Sequence, residues 1–195
     1  MSRSTADTRE RILQTARKLL EAGQGQNVRI SDIAKGAGIS RQAVYLHFDT
    51  RATLLIETAR YIDEVNDVES RLAPSRAAKS GNLRLDAYVE SWGNYMPEIY
   101  GIAKAFWAMG DADEAASAAW QDRMNAVRHG CAAAIHALSR DGHLSSSFSP
   151  DEATDMLSML LSVRNWEQLT QKNEWSQQQY IKHMKQITRQ TFVVN

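Results

Sequence analysis

The stretch from Arg29 to Phe48, RISDIAKGAGISRQAVYLHF, constrains this chain more than any other: it reads as two short helices meeting at a tight corner. Ser31 stands where an N-cap belongs, and Asp32 follows in the first turn, facing the positive end of the helix dipole. Ile33, Ala34 and Ala37 share a face, and Ala34 is small enough for a second helix to cross closely over it. Gly38 supplies the corner, because a tight turn between helices often needs a positive φ that glycine adopts at no steric cost. Ser40 can cap the next helix, whose Val44 and Phe48, spaced by four, point inward. Gln42, Ala43, Leu46 and His47 are left on the opposite face, with Arg41 and Tyr45 at its edges. A guanidinium, an amide, an imidazole and a phenol around one short helix are groups that bond phosphates and base edges. The pattern is that of a helix-turn-helix able to enter DNA.

On these residues the chain resembles the tetracycline-repressor (TetR) family of transcriptional regulators. The resemblance rests on the initial helix, on Ile33-Ala34 and Ala37-Gly38-Ile39-Ser40, and on Val44-Tyr45 and His47-Phe48. It continues into Thr50-Arg51 and Leu54-Leu55, so it covers roughly the first sixty residues. Beyond them only length, helical character and element order agree. The resemblance implies an all-α fold: a three-helix DNA-binding domain at 1–50, a connecting helix at about 51–73, and a helical ligand-binding and dimerisation domain at 74–195. It further implies a sequence-specific regulator, a repressor released from a near-palindromic operator by a small-molecule inducer.

Composition agrees with a helical chain. There are three prolines and ten glycines in 195 residues, and no run alternates convincingly with period two. The formal net charge is zero, yet residues 1–60 carry ten Lys/Arg against six Asp/Glu, while the remainder carry thirteen against seventeen. A basic end on a neutral protein localises attraction to a polyanion. The single cysteine, Cys131, rules out an intrachain disulfide; in GCAAAIHAL it reads as a small buried residue, with a redox switch as the alternative. The N-terminus lacks the apolar core of a signal peptide, and no apolar run approaches the ~18–20 residues of a membrane span, so a cytoplasmic location is expected.

Along the chain, Asp7 to Glu10 resembles a capping box opening the first helix, which Gly23 and Gly25 end. A fourth helix is expected from about Thr50 to Leu72, broken by Pro74, and a fifth from Leu83 to Tyr100, interrupted near Pro97. A short helix follows at Ile102 to Met109, then a turn at Gly110-Asp111. A seventh helix spans about Asp113 to Ser139; an eighth opens at Ser149-Pro150 and runs to Lys172; Ser176 caps a ninth reaching Phe192.

Residue roles follow. Arg41 and Gln42 open the recognition helix, and the favoured pairings are Arg with guanine and Gln with adenine. Ala43 offers a methyl or close backbone approach, and Leu46 is either an incidental exposed leucine or a thymine contact. By the resemblance, Tyr45 and His47 bond backbone phosphates; each could instead be a half-buried packing residue. Arg29 and Ser31 would approach phosphates flanking the groove, with Ser40 beside them. Arg51 falls where the family usually has lysine, retaining a phosphate contact in kind, whereas Ala52 departs from the usual glutamate and leaves Thr50 to cap without a reciprocal partner. Arg3 could reach a neighbouring groove or stay solvated.

One such helix reads too few base pairs for a genomic site, so a homodimer presenting two heads about one DNA turn apart, ~34–36 Å, is expected. The resemblance assigns its interface to the last two helices, through Leu157, Leu160, Leu161, Trp166, Ile181, Met184 and Ile187. Tyr88, Trp92, Tyr95, Met96, Tyr100, Phe106, Trp107, Trp120 and Met124 could line a chamber for an apolar or aromatic effector. Glu90, Glu98 or Asp111 near such rings would favour a cationic one. No cofactor and no enzymatic motif is indicated: HExxH, GxSxG and a phosphate-cradling glycine loop are all missing. His129, His136, Asp122 and His143 match no familiar zinc spacing and read as solvent-facing or hydrogen-bonded groups.

Overall fold

A computed structural model describes residues 3–22, 28–110 and 113–194, with side chains from residue 5. Gly23, Gly25 and Asp111, and the side chain of Arg3, lie outside the described residues. The fold is all-helical and divides into two compact units, the first made of Met1–Asn66 and Gly101–Met124, the second of Asp67–Tyr100 and Asn125–Asn195.

The first unit contains α1 (Arg3–Ala22), α2 (Ile30–Ala37), α3 (Arg41–His47) and α4 (Arg51–Val65). Helix α6 (Gly81–Met109) adds its last residues and α7 (Glu114–Arg140) its first. Apolar residues three and four apart make one core: Ile12, Leu13, Ala16 and Leu20 meet Ile33, Ala34, Val44, Phe48, Leu54, Leu55 and Ile62. Ile102, Ala105, Phe106, Ala116 and Ala119 complete it.

The second unit holds α5 (Val68–Arg76), the first part of α6, the rest of α7, α8 (Pro150–Leu160), α9 (Val163–Glu167) and α10 (Gln177–Phe192). A π-helical turn, Gln168–Lys172, continues α9. Leu85, Val89, Ile135, Leu138, Leu157, Trp166, Tyr180 and Phe192 are among its buried residues. Among the described residues an isolated antiparallel bridge, Leu144 with Val193, ties the loop after α7 to the end of α10.

Several boundaries differ from the sequence reading, each for a local reason. Helix α1 already runs at Arg3, so Asp7 lies inside it and opens nothing. Helix α2 starts two residues early, with extended Arg29 as N-cap and no side-chain cap; burial of Ile30 draws the start back and leaves Ser31 in the first turn. The expected fourth helix divides at Asn66-Asp67, where Asp67 adopts a left-handed φ of 51°, a conformation aspartate tolerates better than most residues. Pro74 sits inside α5, two residues before its end.

Pro97 leaves α6 unbroken. A proline at that position cannot donate to the carbonyl four residues back. That carbonyl, Gly93 O, instead accepts from Gln177 Nε2 at 2.6 Å, so the orphaned acceptor is satisfied from α10. The expected eighth helix is interrupted at Leu161-Ser162, where Ser162 caps a fresh start by accepting from Asn165 N at 3.2 Å.

Candidate nucleic-acid interface

The corner between α2 and α3 forms as its residues dictate. Gly38 takes φ 67°, and its N–H and that of Ile39 donate to the Lys35 and Ala34 carbonyls, closing α2. Ser40 then accepts from Ala43 N at 3.0 Å and opens α3. Val44 and Phe48 are buried, which turns the other side of the short helix to solvent. Arg41, Gln42, Tyr45 and Leu46 are exposed there, while Ala43 and His47 are half-buried. Leu46 is 87% exposed. Thr50 caps α4 by accepting from Thr53 N at 3.0 Å, with no reciprocal carboxylate.

Beside this face lies a concavity of about 520 Å³ lined by Arg29, Ile30, Ser31, Arg41, Tyr45 and Arg51. It gathers three guanidiniums, a hydroxyl and a phenol from α2, α3, α4 and the residue preceding α2. Such a set can hold a phosphate by charge and by directed hydrogen bonds. Arg51 is also committed inside the fold: Nε and Nη2 donate to the Val28 carbonyl at 3.1 and 3.0 Å, and Nη1 meets Asp113 Oδ1 at 2.5 Å. It braces the segment entering α2 and borders the concavity with a charge that Asp113 offsets. The guanidinium in turn holds the Asp113 carboxyl below the usual carboxylate range. Asp113 escaped the sequence-read site set. Nothing local to Asp113 signals a partner 62 residues away.

The structure distributes the residues expected at a dimer interface unevenly. Leu157, Leu161, Trp166 and Met184 are buried within the chain's own second unit and have no surface left to offer a copy. Leu160 and Ile181 are half-buried, and Ile187 is exposed. On α8 the exposed apolar side chains are Met156 and Met159.

The aromatic residues expected to line a chamber are assigned to both units. Tyr88, Trp92, Tyr95 and Met96 are buried in the second unit, where Tyr88 Oη donates to Val127 O at 2.9 Å and Trp92 Nε1 to Leu161 O at 2.8 Å. Tyr100 donates to Glu167 at 2.7 Å and packs edge-on against Trp166. Burial and this carboxylate push the Tyr100 phenol up to about 12. In the first unit Trp120 packs against both Phe106 and Trp107, and Trp107, Trp120 and Met124 are half-buried. Glu90 and Glu98 already face cations of the chain itself, Lys185 at 2.7 Å and Arg71 at 2.8 Å.

Cys131 is fully buried, and burial pushes its thiol up, away from the reactive thiolate. Asp122 pairs with Arg60 at 2.8 Å, and His129, His136 and His143 are exposed. Among the described residues no helix is long and apolar enough to cross a membrane.

Residues 12–58 match the family model described as bacterial regulatory proteins, tetR family. The chain is 34% identical over 105 residues to the HTH-type transcriptional regulator EthR of Mycolicibacterium smegmatis, covering 48% of this chain and 46% of that protein. It thus spans about half the length of the curated relatives it matches. Solved structures agree in fold. A transcriptional regulator from Saccharomonospora viridis in complex with choline superposes with a TM-score of 0.73 at 22% identity, over 97% of this chain and 100% of that one. NalD of Pseudomonas aeruginosa, the secondary repressor of the MexAB-OprM multidrug efflux pump, gives 0.68 at 18% identity, over 98% of each chain. The amino-terminal helices and their corner fall within residues 12–58, so the likeness to the tetR family of bacterial regulatory proteins is carried by that domain.

Proposed function

We propose that the protein is a sequence-specific DNA-binding transcriptional regulator, a repressor that leaves a near-palindromic operator when a small molecule binds. The observation that carries this reading is the concavity of Arg29, Ser31, Arg41, Tyr45 and Arg51 set beside the exposed face of α3. A phosphate seated there would hold α3 in the major groove, with Arg41, Gln42, Ala43 and Leu46 toward base edges and His47 and Ser40 toward the backbone. In domain terms, 1–50 would read DNA, 51–73 connect, and 74–195 bind effector and partner. Such a role belongs in the cytoplasm, beside the chromosome.

The working unit is a homodimer. Met156, Met159 and Ile187, exposed on the last helices with half-buried Leu160 and Ile181 beside them, support a face that a second copy would cover. Half-buried Trp107, Trp120 and Met124, in the unit that also contains α4, support an apolar or aromatic effector. Such a ligand releases DNA only by the difference between its affinities for the two head spacings.

The test is selection of bound duplexes from a random DNA pool by the purified full chain. A two-fold symmetric motif whose affinity falls steeply with salt is the expected result. Absence of any enriched sequence at low ionic strength overturns the reading.

A further inference from the structure

Leu46 is the most solvent-exposed large apolar side chain among the described residues, at 87%. It lies on α3 almost directly opposite buried Val44, and Gln42, one turn earlier, shares that outermost line roughly 6 Å away along the axis. These two side chains therefore project furthest from the core. Among the described residues of the first unit, the other exposed large apolar side chains are Tyr45, its neighbour in the chain, and Val65. Tyr45 lines the arginine concavity, and Val65 ends α4.

In a major groove, an aliphatic side chain has one complementary feature on the base edges, the 5-methyl group of thymine. We infer that Leu46 is a specificity-determining residue that packs on a thymine methyl, within about two base-pair steps of the base read by Gln42. The inference rests on the proposed DNA-reading role of α3. It adds that the half-site carries a T at a defined place, recognised by its methyl alone. Neither oxygen nor nitrogen of that base need be touched by Leu46.

The test uses the half-site returned by the random-pool selection. Each thymine is replaced in turn by deoxyuridine, which keeps pairing and deletes only the methyl, and binding is measured at constant salt for the wild-type chain and for Leu46→Ala. Losing one buried methyl corresponds to about fourfold in affinity per half-site. At one thymine per half-site the wild type should weaken by about that factor, and Leu46→Ala should not respond there. Because Leu46 is exposed, Leu46→Ala should keep the wild-type helical content and melting behaviour, so the comparison stays clean. A selected half-site on which both chains respond alike to every exchange overturns the role of Leu46 while the DNA-reading role of α3 stands. Failure of the wild type to select any sequence removes both.

Discussion

Asp113 neutralises Arg51 while capping α7: its Oδ1 lies 2.5 Å from Arg51 Nη1 and accepts from Ala116 N at 3.1 Å. One carboxylate oxygen thus serves a helix start and a guanidinium bordering the concavity where a phosphate would sit. Asp113→Asn keeps a capping oxygen and deletes the charge. The variant should bind duplex DNA more tightly at low salt. The slope of log affinity against log salt should steepen by up to about 0.9. Fluorescence anisotropy on operator and random duplex across a salt series reads both.

The same pair sets an acid limit. Arg51 lowers the Asp113 pKa in the folded chain, so ionised Asp113 favours the fold. That stabilisation is complete above the ordinary carboxylate range and is lost as pH falls through the lowered folded value. Urea melts at successive acidic pH values should show the wild type losing stability there more steeply than Asp113→Asn. Equal slopes would mean that the pair contributes nothing.

Phosphate and base contacts separate by their signatures. Arg29→Ala, Tyr45→Ala and His47→Ala should weaken binding on every sequence, and the arginine change should shallow the salt slope by about 0.9. Gln42→Ala should relax preference at particular positions, with about 1–3 kcal/mol of discrimination lost. A repeat selection with each variant checks this.

A charge on the exposed apolar face should separate the copies. Met159→Glu and Ile187→Glu are expected to fold normally, since neither side chain is buried, and to sediment as monomers at concentrations where the wild type is a dimer. Operator affinity should fall with them, because a single head reads only one half-site. Leu157→Glu, by contrast, should unfold the second unit, because it places an unpaired charge in a fully buried position.

Gln177 bridges two polar groups of the second unit. It donates to Gly93 O at 2.6 Å and accepts from Trp166 Nε1 at 2.8 Å. Gln177→Ala leaves both without that partner, at a cost of about 2 kcal/mol or more. In a Pro97→Ala background the residue-97 N–H can take the Gly93 carbonyl, so the cost of Gln177→Ala should be smaller there. Thermal melts of the four chains give the coupling directly.

What the sequence made legible was local. Gly38, Ser40, Val44 and Phe48 sit within one short stretch, and turn chemistry and helical period settle where each goes. Long-range compensation was invisible. Pro97 argues for a break until Gln177, eighty-four positions away from Gly93, is seen to satisfy the freed carbonyl. Arg51 has the charge of a phosphate ligand, and its tie to Asp113 lies outside any window. Hydrophobicity alone likewise could not sort α8: Leu157 and Met159 are both apolar, yet the helix buries the first and exposes the second.

The first unit is built from two separate stretches, with Ile102, Ala105, Phe106, Ala116 and Ala119 packed among residues of the amino-terminal helices. The reading head therefore cannot be lifted out by a single cut. A gene fragment stopping at residue 66 would expose part of a greasy core to water, and a fusion seeking to graft this head onto another dimeriser would have to carry the returning helical hairpin as well. Shuffling of this head between regulators is thus restrained by the wiring of the chain.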